Sequence, residues 1–178
     1  MSKDIAKIQH QTLPSSVEVF AKNWQIYQKI LKHNHMRHKE MYDVLDQFIL
    51  NYPVKPFSFL DLGCGDLSTI TPCLIYSNVN SYIGVDLSPQ ALEIAQKNIA
   101  DIPGEKRLIT GNIKDIVKEL VSTKNSKFDI VFSSYTIHHL STLDKQNLIN
   151  DIWQILNPNS CFIFIDVLER KEKVAITI

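Results

Sequence analysis

Two apolar segments, each with an acidic residue at or near the end of its predicted strand, constrain the fold of this chain more than any other feature. Phe59–Leu67 (FLDLGCGDL) has the pattern of a strand running into a glycine turn, and Tyr82–Pro89 (YIGVDLSP) that of a strand with Asp86 at its C-terminal end. A strand, a glycine turn, a helix and a second strand ending in an acid form a nucleotide cradle. The glycines allow close approach of the backbone, and the acid accepts hydrogen bonds from two ribose hydroxyls. We therefore expect a cofactor-binding α/β protein.

The composition of the turn indicates which cofactor it suits. Nicotinamide-binding turns normally carry a third glycine, but Ser68 follows Gly63 and Gly65 at that spacing. Asp61 precedes the first glycine. A carboxylate there repels a pyrophosphate but suits a ligand with an ammonium or sulfonium charge. Both features argue against a nicotinamide-dependent oxidoreductase, which we keep as an alternative function.

The segments DLGCG and GVDLS resemble motifs I and II of the class I methyltransferases that use S-adenosylmethionine. Residues 108–112, 128–140 and 155–166 resemble three further motifs of that family, in the same order. Five ordered motifs are far more specific than one glycine loop. The resemblance implies a doubly wound, Rossmann-like, mostly parallel sheet with helices on both faces and an N-terminal helical lid.

The sequence departs from the family pattern in three places. Leu67 stands where a third glycine is common, Asn159 and Ser160 stand where a Gly-Gly pair is common, and Asn112 replaces the usual adenine-contacting Asp. Asn tolerates left-handed backbone, so we expect the change at position 159 to be mild. An amide both donates and accepts hydrogen bonds, so Asn112 retains the capacity to contact adenine.

The resemblance also implies a set of cofactor-binding residues after the first four strands. They are Asp61, Gly63, Gly65, Asp86, Leu87, Asn112, Ile113 and Ser133. We assign Asp86 to the ribose rather than to helix capping alone. Asp61 would contact the amino group of the cofactor, directly or through water, or else brace the turn. For Asn112, capping of the next helix and contact with adenine are equal alternatives.

Catalysis is assigned to two adjacent histidines. His138 and His139 follow the fourth strand, where the substrate pocket of the family begins, and a histidine there can act as a base near neutral pH. The alternative is packing beneath the following helix. His139 matches the more frequent family histidine. A base is needed only if the methyl acceptor loses a proton as it reacts.

Composition excludes several other functions. Nineteen basic and nineteen acidic residues cancel, and no basic run is dense enough to indicate nucleic-acid binding. No apolar run approaches membrane length. The three cysteines are scattered along the chain, which is typical of reduced cysteines that pack in the protein interior and favours a cytoplasmic location. His33, His35 and His38 lack a nearby additional ligand of defined spacing, so we predict no metal site.

The chain divides into a predicted N-terminal helical lid, residues 1–54, and a cofactor-binding core, residues 55–178. Apolar patterning predicts strands near 57–62, 81–86, 107–110, 128–133 and 161–167, and helices near 68–77, 89–100, 113–122 and 142–157. The C-terminal strand pair of the family is missing. We expect truncation of a longer protein, or else an edge of strand five that is covered by a homodimer partner or by the tail.

The predicted function is transfer of a methyl group from S-adenosylmethionine to a small-molecule acceptor. The alternative is a non-catalytic protein that binds S-adenosylmethionine or a partner. In that alternative, Leu67 and the missing strands reflect lost activity.

Overall fold

The computed structural model describes residues 26, 29–30, 33–52, 56–123 and 127–167. Contacts between Cα atoms divide the chain into two compact units, Met1–His38 and Lys39–Ile178. The second unit contains all the strands of the described residues. Of the predicted N-terminal lid, residues 1–25, 27–28, 31–32 and 53–54 lie outside the described residues.

Strands and helices alternate from residue 57 onward, as the apolar pattern predicts. The strands are β1 (Phe57–Leu62), β2 (Val79–Asp86), β3 (Glu105–Thr110), β4 (Phe128–Ser134) and β5 (Leu156–Ile165). The α-helices are α1 (His38–Leu50), α2 (Thr71–Leu74), α3 (Pro89–Asn98), α4 (Ile113–Thr123) and α5 (Thr142–Ile155), with short 3₁₀ turns at Ile99–Asp101 and Ile137–His139. The predicted doubly wound α/β fold is confirmed.

The five strands form one sheet in the order β3-β2-β1-β4-β5, and every neighbouring pair is parallel. The strand order reverses beside β1, because β2 lies on one side of it and β4 on the other. Ligands of open α/β sheets bind beyond the C-terminal strand ends at this switch point. The glycine turn after β1 and Asp86 at the end of β2 lie there.

Both faces of the sheet are covered by apolar side chains, which explains why the strands are almost continuously apolar. On one face, Leu45 and Ile49 of α1 join a cluster that includes Phe59, Tyr82 and Phe132. On the other face, side chains of α4 and α5 pack against strand residues. That second cluster includes Leu60, Leu62, Val85, Val131, Val117, Leu148 and Ile152.

Two helices begin at capping serine residues. Ser88 caps α3, where its hydroxyl accepts a hydrogen bond from the backbone N–H of Ala91 at 3.2 Å and Pro89 follows in the first turn. Ser141 caps α5 by accepting from the N–H of Asp144 at 3.2 Å. These caps fix where each helix begins after its strand.

Two elements differ from the sequence prediction by more than two residues at one end or both. The helix expected at 68–77 is only Thr71–Leu74, because Leu67 adopts a left-handed φ of 64° and Ser68 bonds back to the Asp66 carboxylate. Strand β5 begins at Leu156 rather than near 161. Its pairing with β4 shifts register between Phe128 and Ile130, so a polar bulge is included in the strand.

Candidate functional site

The glycine turn after β1 is tied to the end of β2 by backbone hydrogen bonds. The N–H groups of Gly63 and Cys64 donate to the carbonyl of Val85 at 2.8 and 3.0 Å. Gly63 has a φ of +82°, and a Cβ added to it would lie 2.0 Å from the Thr136 hydroxyl oxygen. This position therefore requires glycine both for its backbone conformation and for the contact with the loop after β4.

Gly65 differs from Gly63 in what surrounds it. Its φ is +57°, and a Cβ added to it would meet nothing within 4 Å. The backbone of the turn therefore faces open space where a ligand can lie against it. Leu87, on the loop just after β2, is 70% exposed although it is apolar. An open glycine backbone and an exposed leucine at neighbouring strand ends suit a ligand with an apolar or aromatic part.

Asp86 is anchored by the backbone on both of its carboxylate oxygens. Oδ2 accepts from the N–H of Gly65 at 2.9 Å, and Oδ1 accepts from the N–H of Ser88 at 2.8 Å. Asp86 thus helps to shape the start of α3, as the capping alternative predicts. A carboxylate offers about four acceptor positions. Two remain for hydroxyl donors of a ligand, so the ribose assignment is compatible with this geometry.

Asp61 lies at the end of β1 but points into the protein. Its side chain is only 2% exposed, and its Oδ2 accepts from the Tyr82 hydroxyl at 2.8 Å rather than from the amides of the turn. Burial raises the pKa of Asp61 to about 7, the Tyr82 hydrogen bond opposes that rise, and the negative charge of Asp86 adds to it. A cation bound beside these two acids would stabilise the charged form of Asp61.

The turn keeps a glycine-like conformation at its third position without a glycine. Leu67 has a φ of +64° and is fully buried in the core cluster that contains Phe59. A left-handed leucine costs roughly 1–2 kcal/mol, which burial of its side chain offsets. Asn159, at the position of the usual Gly-Gly pair, has a φ of +63°. The expectation that Asn there adopts left-handed backbone is confirmed.

The remaining predicted cofactor residues already have structural partners. The Asn112 side-chain oxygen accepts from the N–H of Lys114 at 3.0 Å, so the capping alternative is observed. Ile113 is buried at the start of α4. The buried Ser133 hydroxyl donates to the carbonyl of Leu62 at 2.8 Å and ties β4 to β1.

The two predicted catalytic histidines occupy different environments. Their rings are in contact, with centroids 3.9 Å apart and planes tilted by 44°, but His139 is exposed whereas the His138 side chain is 27% exposed. Nδ1 of His138 lies 2.6 Å from Oδ1 of Asp166, and the backbone N–H of His138 donates to Oδ2 of Asp166 at 2.9 Å. Only His138 is therefore oriented by a carboxylate among the described contacts.

Asp166 is the functional candidate that sequence reasoning missed. It follows β5 directly, as Asp86 ends β2, and an acid at the C-terminal end of an apolar strand was the signal that would have identified it. Parallel strands bring their C-terminal ends to one edge of the sheet. That placement explains how residues 28 positions apart meet.

Asp129, at the opposite end of β4, has a structural role. Its carboxylate accepts from the N–H and hydroxyl of Ser58, each at 2.9 Å, and from the Asn157 side chain at 2.9 Å. Asp129 thereby joins β1, β4 and the bulge of β5 at the end of the sheet opposite to the glycine turn. In the described part of the chain, no three His, Cys, Asp or Glu side chains are grouped so as to hold a metal ion.

The parallel sheet with its switch point, glycine turn and strand-end acid defines the Rossmann-like class of nucleotide-cofactor proteins. Within that class, the family model described as a methyltransferase domain matches residues 60–162, more than half of the chain. The chain therefore belongs to the methyltransferase domain family.

A curated relative is the malonyl-[acyl-carrier protein] O-methyltransferase of Halalkalibacterium halodurans, which is 28% identical over 149 residues. The match covers 82% of this chain and 52% of the relative, so the chain spans about half the length of the curated protein. The described residues include no helix with both the length and the apolar character to cross a membrane.

Solved methyltransferase structures share the fold. An S-adenosylmethionine-dependent methyltransferase from Clostridium acetobutylicum aligns with a TM-score of 0.60 and 23% identity, over 82% of this chain and 56% of that chain. The magnesium protoporphyrin IX methyltransferase of Synechocystis with bound SAH aligns with a TM-score of 0.61 and 15% identity, over 79% and 66% respectively. Both confirm the fold class.

Proposed function

We propose that this chain binds S-adenosylmethionine at the C-terminal edge of its sheet and transfers the methyl group to a small-molecule acceptor. The observation that carries the proposal is the pairing of Asp86 with Gly65. A carboxylate with spare acceptor capacity is held by the backbone N–H of a glycine whose outer side is open space. A ribose on the carboxylate would place the rest of the nucleoside near Leu87, which is exposed beside it.

The residues present suit the charge of this cofactor. When bound, S-adenosylmethionine supplies a methyl group on a positively charged sulfur, together with an ammonium group. Asp61 and Asp86 lie close enough for the charge of one to raise the pKa of the other's buried carboxyl group. A cation between them would relieve that repulsion, whereas a pyrophosphate would add to it. This is the physical reason to prefer the sulfonium cofactor over a dinucleotide.

The protein contributes mainly alignment to a reaction whose methyl donor is already activated. Holding acceptor and donor in line can contribute ~7–11 kcal/mol. We assign the cofactor site to the eight residues predicted from the sequence, and an acceptor site to the loop that carries His138 and His139. The left-handed Leu67 supports this enzyme over a non-catalytic protein, because the turn keeps its conformation despite the missing glycine.

We keep residues 1–54 as the proposed N-terminal lid and residues 55–178 as the proposed core. The hydroxyls of Tyr42, on α1, and Ser134, at the end of β4, are hydrogen-bonded at 2.7 Å. Helix α1 thus contacts the end of β4, next to the loop that carries His138 and His139. The free thiols of all three cysteines support a cytoplasmic location. We assign no nucleic-acid or membrane partner.

Calorimetric titration with S-adenosylmethionine and S-adenosylhomocysteine, with NAD as the competing cofactor class, tests the proposal. We expect micromolar binding of the first two and none of NAD. Asp86→Ala should weaken binding at least tenfold. Asp101→Ala, at an exposed site in the 3₁₀ turn after α3, is the matched control and should leave the affinity unchanged.

Loss of binding in Asp86→Ala has to be separated from unfolding, because that variant also loses two backbone hydrogen bonds. Asp86→Asn keeps an acceptor oxygen with nearly the same shape, and the thermal midpoint of each variant is measured alongside. NAD binding with no response to S-adenosylmethionine would establish the oxidoreductase alternative instead.

A further inference from the structure

We propose that Asp166 and His138 form a proton-accepting dyad, in which Asp166 positions the imidazole and His138 takes a proton from a hydroxyl group of the methyl acceptor. The inference rests on the proposed methyltransferase function and deepens it, because it names the chemical class of the acceptor. His138 would be the catalytic residue and Asp166 the positioning residue.

The geometry fixes the tautomer of His138. A carboxylate only accepts hydrogen bonds, so the ring nitrogen 2.6 Å from Asp166 Oδ1, which is Nδ1, carries the proton. In the neutral ring, the other nitrogen, Nε2, is then an acceptor. The ring is 27% exposed, so a ligand can reach it. Such a pairing, in which an acid orients an imidazole for proton transfer, is the logic of catalytic triads on unrelated folds.

Asp166 is held firmly enough to position the ring. Its side chain is 8% exposed, and it accepts three hydrogen bonds, from Nδ1 and the backbone N–H of His138 and from the N–H of Val167 at 2.8 Å. Because two of these bonds go to His138, both the backbone and the ring of that residue are fixed. A group that served only to pack beneath helix α5 would not need a buried carboxylate on its ring nitrogen.

The dyad lies beside the glycine turn. His138 is two residues beyond Thr136, whose side chain fills the space that a Cβ on Gly63 would need. The N–H of Tyr135 donates to the carbonyl of Ile165 at 2.7 Å, which joins the loop after β4 to the end of β5. The loop is therefore anchored on both sides at the same sheet edge as the proposed cofactor site.

The chemistry of the dyad selects the acceptor class. Carboxylic acids are ionised at neutral pH and thiols partly so, whereas a phenolic hydroxyl with a pKa of about 10 keeps its proton. An ammonium acceptor would place a second positive charge beside the sulfonium. A hydroxyl is neutral until it reacts, so it is the acceptor that gains most from a neighbouring imidazole.

The proposed transfer balances in atoms and electrons. The hydroxyl oxygen forms a bond to the methyl carbon while the carbon–sulfur bond breaks, and that electron pair returns to the sulfur, which becomes neutral. The hydroxyl proton passes to Nε2 of His138. The imidazolium is stabilised by Asp166 and returns the proton to solvent.

Other titratable groups near the dyad affect its pH dependence. The His139 ring contacts the His138 ring at a tilt of 44°. Burial is the larger cause of the raised pKa of Tyr135, and the charge of Asp166 adds to it. Glu40 is a further charged group that acts on Tyr135. A pH profile therefore needs His139→Gln as a matched control for the neighbouring ring.

Ring nitrogen chemical shifts of ¹⁵N-histidine protein, recorded with and without S-adenosylhomocysteine, test the dyad independently of turnover. We expect the neutral form of His138 to carry its proton on Nδ1, and a shift of that form towards the Nε2-protonated tautomer in Asp166→Asn. His139 should keep the tautomer typical of free histidine. A wild-type His138 protonated on Nε2, or a spectrum unchanged by Asp166→Asn, would overturn the proposal.

Turnover of phenols and alcohols is then compared with that of carboxylic acids. We expect hydroxyl acceptors to react, His138→Gln to lower kcat by ~10²-fold with S-adenosylhomocysteine affinity unchanged, and the exposed control variant Asp101→Ala to leave kcat unchanged. Reaction of carboxylic acids alone, or of neither class, would overturn the hydroxyl assignment. Failure of cofactor binding would instead refute the proposed function itself.

Discussion

The buried acid Asp61 gives the most quantitative prediction. Its pKa is raised to about 7 from an ordinary value of 3.8, chiefly because burial disfavours the charged form. The folded protein therefore binds one more proton than the unfolded chain between these two pH values. Stability that is fully present below pH 4 is lost as the pH rises through about 7.

The size of this loss of stability follows from the size of the pKa shift of Asp61. About three pKa units at 1.36 kcal/mol each correspond to ~4 kcal/mol, an upper value for one fully buried group. Asp61→Asn removes the titration but keeps an oxygen that can accept the Tyr82 hydroxyl hydrogen bond. We expect the variant to be more stable than the wild type at pH 8, by up to ~4 kcal/mol, and the difference to shrink as the pH falls towards 4.

Urea unfolding of both proteins at pH 5, 6, 7 and 8 measures this difference, because other titrating groups cancel between them. Tyr82→Phe is the second variant. It removes the hydrogen bond that lowers the Asp61 pKa, so the pH window should extend upward. Parallel stability curves for the wild type and Asp61→Asn, or a variant less stable at pH 8, would refute the electrostatic account of this site.

Three further predictions concern Leu67, the two turn glycines and Asp129. Leu67→Gly and Leu67→Ala both lose a buried side chain, but only glycine relieves the left-handed strain, so the Gly variant should be ~1 kcal/mol more stable than the Ala variant in urea unfolding. Gly63→Ala should be destabilised both by left-handed strain and by its clash with Thr136, whereas Gly65→Ala should lose only the ~1–2 kcal/mol of left-handed strain, together with S-adenosylmethionine affinity in calorimetry, and equal losses of stability would contradict the contrast. Asp129→Ala should lower stability by ~2–3 kcal/mol without changing cofactor affinity, and a loss of affinity in a folded protein would place Asp129 in the site.

The strands were predictable from sequence because both faces of a parallel sheet are buried. Phe57–Leu62 was assigned to within a residue for this reason, and Ser88 with Pro89 marked the start of α3. The start of β5 was not predictable. Its first residue pairs with Phe128 across a bulge that contains Asn, Pro and Ser, and such residues normally indicate a loop.

The site was predictable where one residue and its immediate neighbours decide the conformation. Gly63 and Gly65 both adopt positive φ, as a tight turn requires. Partners distant in sequence were not predictable. Asp61 bonds to Tyr82 rather than to the turn, and His138 is oriented by Asp166, because register and loop geometry decide which side chains meet.

The central claim is that Asp86 binds the ribose of a bound S-adenosyl cofactor. A double-mutant cycle tests it, in which wild type and Asp86→Ala are each titrated with S-adenosylhomocysteine and with its 2′-deoxy and 3′-deoxy analogues. We predict that removal of a ribose hydroxyl weakens binding to the wild type about tenfold or more and binding to Asp86→Ala hardly at all. An equal loss of affinity in both proteins would contradict the assignment and with it the proposed orientation of the cofactor.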